Sequence, residues 1–314
     1  MRRYLARRAI AFAITLLLVS FVTFVVMYVI PGDPAEIILG TEGNPEALAA
    51  LRARLGLDRP LLLQYLDWLK QALSGNLGVS IQYDVPVGQL IASRLPVTFP
   101  LAGLAISLTI FAGIPLGILA ASRHRRPGDV GMMLFSQLGM AIPSFWAGLL
   151  LMLLFSVYLG WFPAGGFTSW AETPAGALRS LVLPAIALGL VQMAVLTRTT
   201  RSALLEVLRE DYVQTARSKG LSDRLVLYKH ALKNSFITIV TLLGLQIGHL
   251  LAGSIIIENV FYLPGLGRLV LGAIGARDLP VVQGVVLFMA TMIVIVNFAV
   301  DLLYGWLDPR IRYN

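Results

Sequence analysis

Residues 97–121 read VTFPLAGLAISLTIFAGIPLGILAA, a run without a single charged side chain. About 20 such apolar residues in a helix are enough to cross the hydrocarbon core of a bilayer. The whole chain shares this character, since 57% of its 314 residues are hydrophobic and 13% are charged. Soluble domains carry about 25% charged residues. The sequence therefore predicts an all-α integral membrane protein.

Six charge-free runs are long enough to span a membrane. They are Ala9–Ile30, Val97–Ala121, Val130–Tyr158, Leu181–Thr197, Ile237–Ile257 and Val281–Val300. The first run follows four arginines, as a signal peptide would. It is longer than the apolar core of a typical signal peptide, however, and no small-residue cleavage site follows it. We therefore interpret it as a retained first span.

Lysine and arginine are distributed unevenly among the predicted loops. Most of the 25 basic residues fall in residues 1–8, 122–129, 198–234 and the C-terminal tail. Positively charged loops stay in the cytosol. Both termini are therefore predicted to be cytoplasmic, and residues 31–95, 159–180 and 258–280 are predicted to be external. The net charge of +8 follows from this topology, and no nucleic-acid partner is predicted.

The predicted spans and loops divide the chain into four parts. Residues 1–30 form a basic segment with the first span, and residues 31–95 form an external segment. Residues 96–305 form the transmembrane core, and residues 306–314 form a cytosolic tail.

The external segment contains the start and stop residues of two helices. Asn44-Pro45-Glu46 predicts the start of a helix that Gly56 ends, and Pro60 predicts the start of a second helix that stops near Ser74-Gly75. A segment of this size has a marginal core of its own, so we expect it to pack on the outer ends of the spans. It is either a connecting cap or a docking surface for an external partner.

A charged segment, residues 198–234, interrupts the apolar runs on the cytosolic side. Leu204, Leu208, Tyr212 and Ala216 recur every four residues, which predicts one continuous helix face. A solvated loop would need charge alone. A shaped apolar face with polar edges favours docking of a partner protein.

The same segment contains a predicted corner between two helices. Gly220 is suited to a left-handed C-cap, and the hydroxyl of Ser222 is suited to N-cap a second helix near residues 223–233. We expect this corner to project into the cytosol.

The outer loop, residues 258–280, contains Leu263-Pro264-Gly265-Leu266-Gly267, which breaks a helix. Broken backbone at membrane depth is tolerated where it is buried in protein or lines a watery cavity. The segment is therefore either a gate or wall of a translocation pathway, or an ordinary outer loop.

Motifs of enzyme chemistry are missing from the sequence. It has no cysteine, no G-x-x-x-x-G-K-[ST], no G-x-S-x-G and no H-E-x-x-H. A secondary carrier would need buried carboxylates or histidines, and a channel would need a selectivity filter. Only His249 lies within a span, and Asp301 ends the sixth; we interpret both as structural. We predict no catalytic residue, metal or cofactor in this chain, and an energy source on a partner.

Residues 211–222, DYVQTARSKGLS, resemble the cytosolic coupling loop of type I ATP-binding-cassette importer permeases. Gln214 and Thr215 stand where the general pattern has Glu and Ala, which is typical of the dipeptide, oligopeptide and nickel branch. Further stretches resembling that branch are Ile30-Pro31-Gly32-Asp33-Pro34, Leu55-Gly56-Leu57-Asp58-Arg59-Pro60, Glu258-Asn259-Val260-Phe261 and Asp308-Pro309-Arg310-Ile311-Arg312-Tyr313.

The resemblance implies that the coupling loop seats in a groove on an ATPase. The small Ala216 and Gly220 would then allow close approach, Tyr212 and Leu221 would fill the groove, and Arg217 and Lys219 would pair with its acidic rim. The coupling residues so implied are Asp211, Tyr212, Gln214, Thr215, Ala216, Arg217, Lys219, Gly220, Leu221 and Ser222. The candidate gate or pathway residues are Glu258, Phe261, Pro264, Gly265, Gly267 and Asp278.

The resemblance also implies a six-span type I permease fold in the cytoplasmic membrane. The implied partners are a second homologous permease, two ATPase subunits that bind ATP and Mg, an external substrate-binding protein and membrane lipid. Within the branch the chain looks most like permeases for dipeptides, oligopeptides or glutathione. A nickel-chelate permease, or an ion-coupled carrier or channel without ATPases, remains an alternative.

Overall fold

The computed structural model describes residues 2–29, 35, 44–55 and 58–307. Within these ranges the regular structure is helical apart from an isolated antiparallel bridge between Val79 and Pro86. The helices are α1 (Arg2–Val29), α2 (Pro45–Leu55), α3 (Leu61–Leu73), α4 (Val87–Ser122), α5 (Pro127–Ala141), α6 (Ser144–Met152), α7 (Pro174–Val207), α8 (Asp211–Ser218), α9 (Asp223–Leu225), α10 (Leu232–Val260), α11 (Leu266–Gly275) and α12 (Leu279–Leu307). Two π-helical turns, Leu153–Tyr158 and Val226–Ala231, follow α6 and α9.

Among the described residues, five helical segments are long and apolar enough to cross a membrane. They are Arg7–Val26 in α1, α4, α7, the continuous segment Asp223–Val260, and Leu279–Leu302 in α12. The bent pair of α5 and Ser144–Tyr158 makes a sixth if it forms one span. The predicted class, an all-helical membrane protein, is therefore confirmed.

The third predicted span, Val130–Tyr158, is wrong as a single helix. Its two halves meet at 101°, and Ile142 and Pro143 between them are extended, with ψ of 121° and 137°. Proline disfavours the helical conformation of the residue before it and cannot donate to the preceding turn. The helix therefore ends at Ala141 and restarts at Ser144.

Several helices are longer than their apolar runs. α4 begins at Val87 rather than Val97, so the predicted external segment contains its first turns. α7 extends from Pro174 to Val207, well beyond the apolar run 181–197. A helix satisfies its own backbone hydrogen bonds on either side of the hydrocarbon boundary, whereas an apolar run marks only the part inside.

Both helices predicted in the external segment are confirmed within the described residues. α2 starts directly after Asn44, whose side-chain oxygen accepts a hydrogen bond from the Glu46 backbone N–H at 3.2 Å. α3 follows Pro60 and ends at Ser74, and Gly75 then adopts a left-handed φ of 84°. The predicted stop at Gly56, the stretch 30–34 and the tail from residue 308 lie outside the described residues.

The chain divides into two compact units. The first comprises Met1–Pro96 and Gly265–Val294, and the second comprises Val97–Pro264 and Ile295–Asn314. The core of the second unit consists of buried side chains from α4, α7 and α10. It also contains Phe261, which directly follows α10. α4 packs very closely on α7, since a Cβ atom added at Gly117 would lie 2.8 Å from the Thr197 carbonyl oxygen.

Candidate functional site

The cytosolic segment forms a knuckle, residues 207–223, built around the short helix α8. α7 ends at Val207, and the chain turns at residues 208–210 before α8 begins. The predicted single helix face through Leu204, Leu208, Tyr212 and Ala216 is therefore wrong. Glu210 is extended, with ψ of 146°, so the helical register is lost there.

Gly220 adopts the predicted left-handed conformation, with φ of 82°. Its N–H donates to the Arg217 carbonyl at 2.9 Å, and the Leu221 N–H reaches back to the Ala216 carbonyl at 3.4 Å. These two hydrogen bonds form a Schellman motif, which satisfies the last carbonyls of a helix. The predicted C-cap of α8 is confirmed.

Ser222 occupies the N-cap position of the next helix but makes no side-chain capping hydrogen bond, so its predicted hydroxyl cap is wrong. The second helix predicted near residues 223–233 begins at Asp223, as expected, but it does not end at residue 233. α9 continues through the π-helical turn Val226–Ala231 into α10, and one continuous helix therefore links the knuckle to the fifth predicted span.

One face of α8 packs against the chain itself. Val213 and Val226 are fully buried and Ala216 is 7% exposed, with Leu221 packed beside them. The Ala216 side chain therefore contributes to this internal cluster, and the prediction that it allows close approach of a partner stays a prediction. Leu221 is partly buried in the same cluster rather than free to fill a partner's groove. The sequence analysis did not identify Val213 as a buried residue, because the four-residue spacing selects Tyr212 and Ala216 instead.

The opposite face of α8 and its C-terminal corner are exposed. Eight of the ten predicted coupling residues lie there: Asp211, Tyr212, Gln214, Thr215, Arg217, Lys219, Gly220 and Ser222. Tyr212 is 43% exposed, and its hydroxyl accepts a hydrogen bond at 2.7 Å from the side-chain amide of Asn234 on α10. Arg217 lies 3.6 Å from the largely exposed Asp223. Exposed ion pairs contribute about 0–1 kcal/mol, so Arg217 can exchange partners easily.

An open cavity of about 480 Å³ lies where α7 turns into α8. Its lining carries both charge signs: Arg201, Ser202, Leu205, Glu206, Arg209, Glu210 and Asp211. It can therefore accept a charged or polar loop of another protein beside the exposed face of α8.

A buried ion pair fixes the helix that carries the knuckle. Arg201 on α7 donates to both carboxylate oxygens of Asp129 on α5, at 2.6 and 2.8 Å, and the Arg125 backbone N–H donates to the same carboxylate at 3.0 Å. The ring of His124 lies 3.3 Å from that carboxylate. The sequence analysis did not pair Arg201 with Asp129. The only sequence feature that pointed to this ion pair was that Asp129 and Arg201 carry opposite charges and lie on the same predicted side of the membrane.

The outer loop contains more structure than predicted. The helix break at residues 261–265 is confirmed, but α11 occupies Leu266–Gly275 within the segment read as irregular. Glu258 lies in the last turn of α10, fully buried, and its carboxylate accepts a hydrogen bond from the Thr98 hydroxyl at 2.6 Å. Phe261 is buried in the core of the second unit, where its carbonyl accepts a hydrogen bond from the Gly166 N–H at 2.9 Å.

The six gate candidates are divided between the two units. Glu258, Phe261 and Pro264 belong to the second unit, and Gly265, Gly267 and Asp278 to the first.

Within the first unit the Asp278 carboxylate accepts hydrogen bonds from the Ser80 hydroxyl and, at 3.2 Å each, from the backbone N–H groups of Ile81 and Gln82. This network ties residues 80–82 of the external segment to the start of α12. A pathway role for any of the six residues stays a prediction.

Among the described residues no group of three or more His, Cys, Asp or Glu side chains could hold a metal ion. The fold has five to six candidate spans, and its cytosolic knuckle is anchored on one face and exposed on the other. These features define the class as a multi-pass, all-helical membrane protein.

The chain belongs to the family described as binding-protein-dependent transport system inner membrane component, which matches residues 113–313. The N-terminal family of the same membrane components matches residues 1–102. The chain is therefore the non-catalytic inner-membrane subunit of an ABC importer, and its family implies ATPase and binding-protein partners.

The chain is similar to permease proteins of three transport systems. A putative peptide transport system permease protein of Brucella abortus (strain 2308) is 47% identical over 299 residues, covering 95% of each chain. The di/tripeptide transport system permease protein DppB of Pseudomonas aeruginosa is 42% identical over 335 residues, and the glutathione transport system permease protein GsiC of Salmonella typhi is 41% identical over 315. Both comparisons cover 100% of each chain.

The fold also matches a solved structure. A chain of the inward-facing MetNI methionine ABC transporter superposes with a TM-score of 0.57 at 15% identity, covering 70% of this chain and 97% of that one. At this identity the likeness concerns the fold alone.

Proposed function

We propose that this chain is one half of a heterodimeric permease that imports peptides, with ATP hydrolysis coupled through the knuckle at residues 207–223. The observation that carries the coupling role is the two-sided character of α8. Its inner face is anchored on Val213, Ala216 and Val226, and its outer face is polar and exposed. A rigid element that is fixed to the spans and open to the cytosol can transmit the movement of a partner.

The second observation that supports a coupling role is the continuous helical connection from the knuckle to the predicted spans. α9 continues into α10, and Asn234 on α10 holds the hydroxyl of Tyr212 at 2.7 Å. The Asp129–Arg201 ion pair fixes the helix on the other side of the knuckle. In this proposal the closing ATPases push the knuckle, and the spans switch between inward- and outward-facing states as a two-state rearrangement.

In this proposal, the exposed residues of the knuckle make different kinds of contact with the ATPase. Tyr212 offers an aromatic edge, and Lys219 and Arg217 offer positive charge to an acidic rim. The mixed-charge cavity beside Arg201 and Asp211 would accept a polar loop of the same partner. The Ala216 side chain packs with Val213 in the internal cluster, and close approach of the partner there stays a prediction.

The proposed substrate class is a short peptide, including di- or tripeptides and glutathione. The named peptide, di/tripeptide and glutathione permeases are similar over nearly the whole chain. Peptides vary in side chain but share a neutral polar backbone, which suits spans with few charged residues. The relatives favour a peptide over a nickel chelate, the alternative within the branch.

Replacing Gly220 with valine is expected to abolish ATP-driven uptake and the stimulation of ATPase activity, while membrane insertion stays normal. A Cβ at Gly220 would meet no atom within 4 Å, so the effect comes from backbone strain. A non-glycine residue held in a sparsely populated conformation costs about 1–3 kcal/mol, and a β-branched one fits poorly. The loss of coupling is measured as the rates of uptake and of ATP hydrolysis in vesicles containing the complete transporter.

Gly220→Asn is the matched control, because asparagine tolerates the left-handed conformation. The asparagine variant should retain most of the coupling. Wild-type uptake by the valine variant would show that the knuckle does not transmit the ATPase movement.

A further inference from the structure

α3 carries an apolar face that no part of the described chain fully covers. Leu62, Leu66, Leu69 and Leu73 are spaced so that they lie along one side of the helix; we call them the leucine stripe. Leu62 is 64% exposed, Leu66 49% and Leu73 81%. The face beside the stripe packs on α1, and Asp67 and Gln71 lie on the opposite side of the helix.

The contact between α3 and α1 is specific and involves the outer half of the first span. The Tyr65 hydroxyl lies 2.8 Å from the Ser20 hydroxyl oxygen and 3.4 Å from the Leu17 carbonyl oxygen. The rings of Phe21 and Phe24 pack on the Tyr65 ring, each with a centroid distance of 5.5 Å. Ser20 and Tyr65 are buried by this contact.

The position of Ser20 fixes the depth of α3 in the membrane. The apolar span of α1 is Arg7–Val26, 20 residues long, which matches a hydrocarbon core of about 30 Å. Its arginine end is the cytosolic one. Ser20 lies six residues before Val26, so it is about 9 Å inside the outer boundary. Tyr65 of α3 is held beside α1 at that level, and Trp68 contacts Phe24, which lies nearer the outer end of the span.

This depth decides between the two kinds of partner that the leucine stripe could contact. A water-soluble protein on the outside cannot reach a helix face inside the hydrocarbon boundary. Lipid already covers the neighbouring surface, since Leu18, Phe21 and Val22 of α1 are exposed along the same span. Tyr65 contacts Phe21, so the exposed surface is continuous from α1 to α3.

We propose that α3 is a helix of the membrane interface whose leucine stripe binds the acyl chains of the outer leaflet. Amphipathic helices of this kind bury their apolar face about 5–10 Å into the boundary between headgroups and acyl chains, which agrees with the depth of Ser20. Asp67 and Gln71 face the headgroups and water. α3 thus anchors the external segment in the membrane rather than offering a docking surface on this face.

The test uses the absence of cysteine in this chain. Single cysteines replace Leu66 or Leu73 in the leucine stripe, and Asp67 or Gln71 on the opposite face of α3 as matched controls. Each variant is labelled with a nitroxide while it is still separate from its partners, and is then assembled into the complete transporter in vesicles of phosphatidylethanolamine and phosphatidylglycerol. Collision rates with oxygen, which concentrates in lipid, and with a water-soluble nickel chelate are then measured.

The proposal predicts a reversal between the two faces. Labels at Leu66→Cys and Leu73→Cys should collide mainly with oxygen, and labels at Asp67→Cys and Gln71→Cys mainly with the nickel chelate. Access of the chelate to the leucine stripe would overturn the proposal in favour of an aqueous face. Protection of the stripe from both agents would overturn it too, because a protein such as the second permease would then cover it.

Discussion

Replacing Asp129 with asparagine is expected to lower the free energy of unfolding by about 3–5 kcal/mol, the cost of leaving one member of a buried ion pair without its partner. The Asp129 side chain is 4% exposed and that of Arg201 is 19% exposed. The carboxylate also accepts the Arg125 backbone N–H. Thermal unfolding of the purified chain in detergent, followed by helical circular dichroism, measures the loss.

The chain provides its own control for this prediction. Arg59 and Asp67 form an ion pair at 3.1 Å whose side chains are 64% and 56% exposed. Asp67→Asn should change the stability by about 0–1 kcal/mol. Adding Arg201→Gln to Asp129→Asn should cost less than the sum of the two single changes, because the two residues share one interaction. Equal losses from the Asp129 and Asp67 variants would contradict the buried role.

Replacing Gly117 with valine is expected to separate α4 from α7. A first side-chain carbon at Gly117 would already lie 2.5 Å from the Thr200 Cβ and 2.8 Å from the Thr197 carbonyl oxygen, and a backbone oxygen cannot move aside cheaply. Overpacking costs about 1–3 kcal/mol for a small added group and more for a larger one. Gly117→Ala should therefore show a smaller loss in the same direction. Thermal unfolding in detergent and the yield of assembled transporter measure both.

Gly103 on the same helix is the control for Gly117. A Cβ there would meet no atom within 4 Å, and glycine is a poor helix former. Gly103→Val should therefore be neutral or slightly stabilising. A Gly117→Val variant as stable as Gly103→Val would show that α4 and α7 are not in contact at this level.

The sequence predicted those elements whose determinants are local. The apolar runs locate the spans because lipid requires them, and Gly220 marks a left-handed cap because few other residues adopt that conformation. Pro60 and Gly75 likewise bound α3 where expected. Each of these features depends on a few consecutive residues.

Proline shows where local reasoning stops. Pro143 separates α5 from α6 with a bend of 101°, whereas Pro184 lies inside α7 without ending it. The sequence around each proline is apolar, so the difference must come from packing against other helices. The sequence therefore located the apolar run of the third predicted span but not the bend within it.

Long-range pairs were beyond the sequence reading. Asp129 and Arg201 are 72 residues apart, and Ser80 and Asp278 are 198 apart. Nothing in either neighbourhood specifies the distance between them in space. The inward direction of Ala216 was missed for a related reason, since the chain turns at residues 208–210 and ends the helical repeat on which the face was predicted.

The measurement that tests the central claim most directly is uptake of a labelled dipeptide by vesicles containing this chain, its second permease, the two ATPases and the external binding protein. The proposal predicts uptake that requires both ATP and the binding protein and continues when ion gradients are collapsed. Labelled glutathione and a nickel chelate, tested in parallel, separate the substrate classes. Uptake by this chain without the ATPases, stopped by collapse of an ion gradient, would contradict the account and identify an ion-coupled carrier.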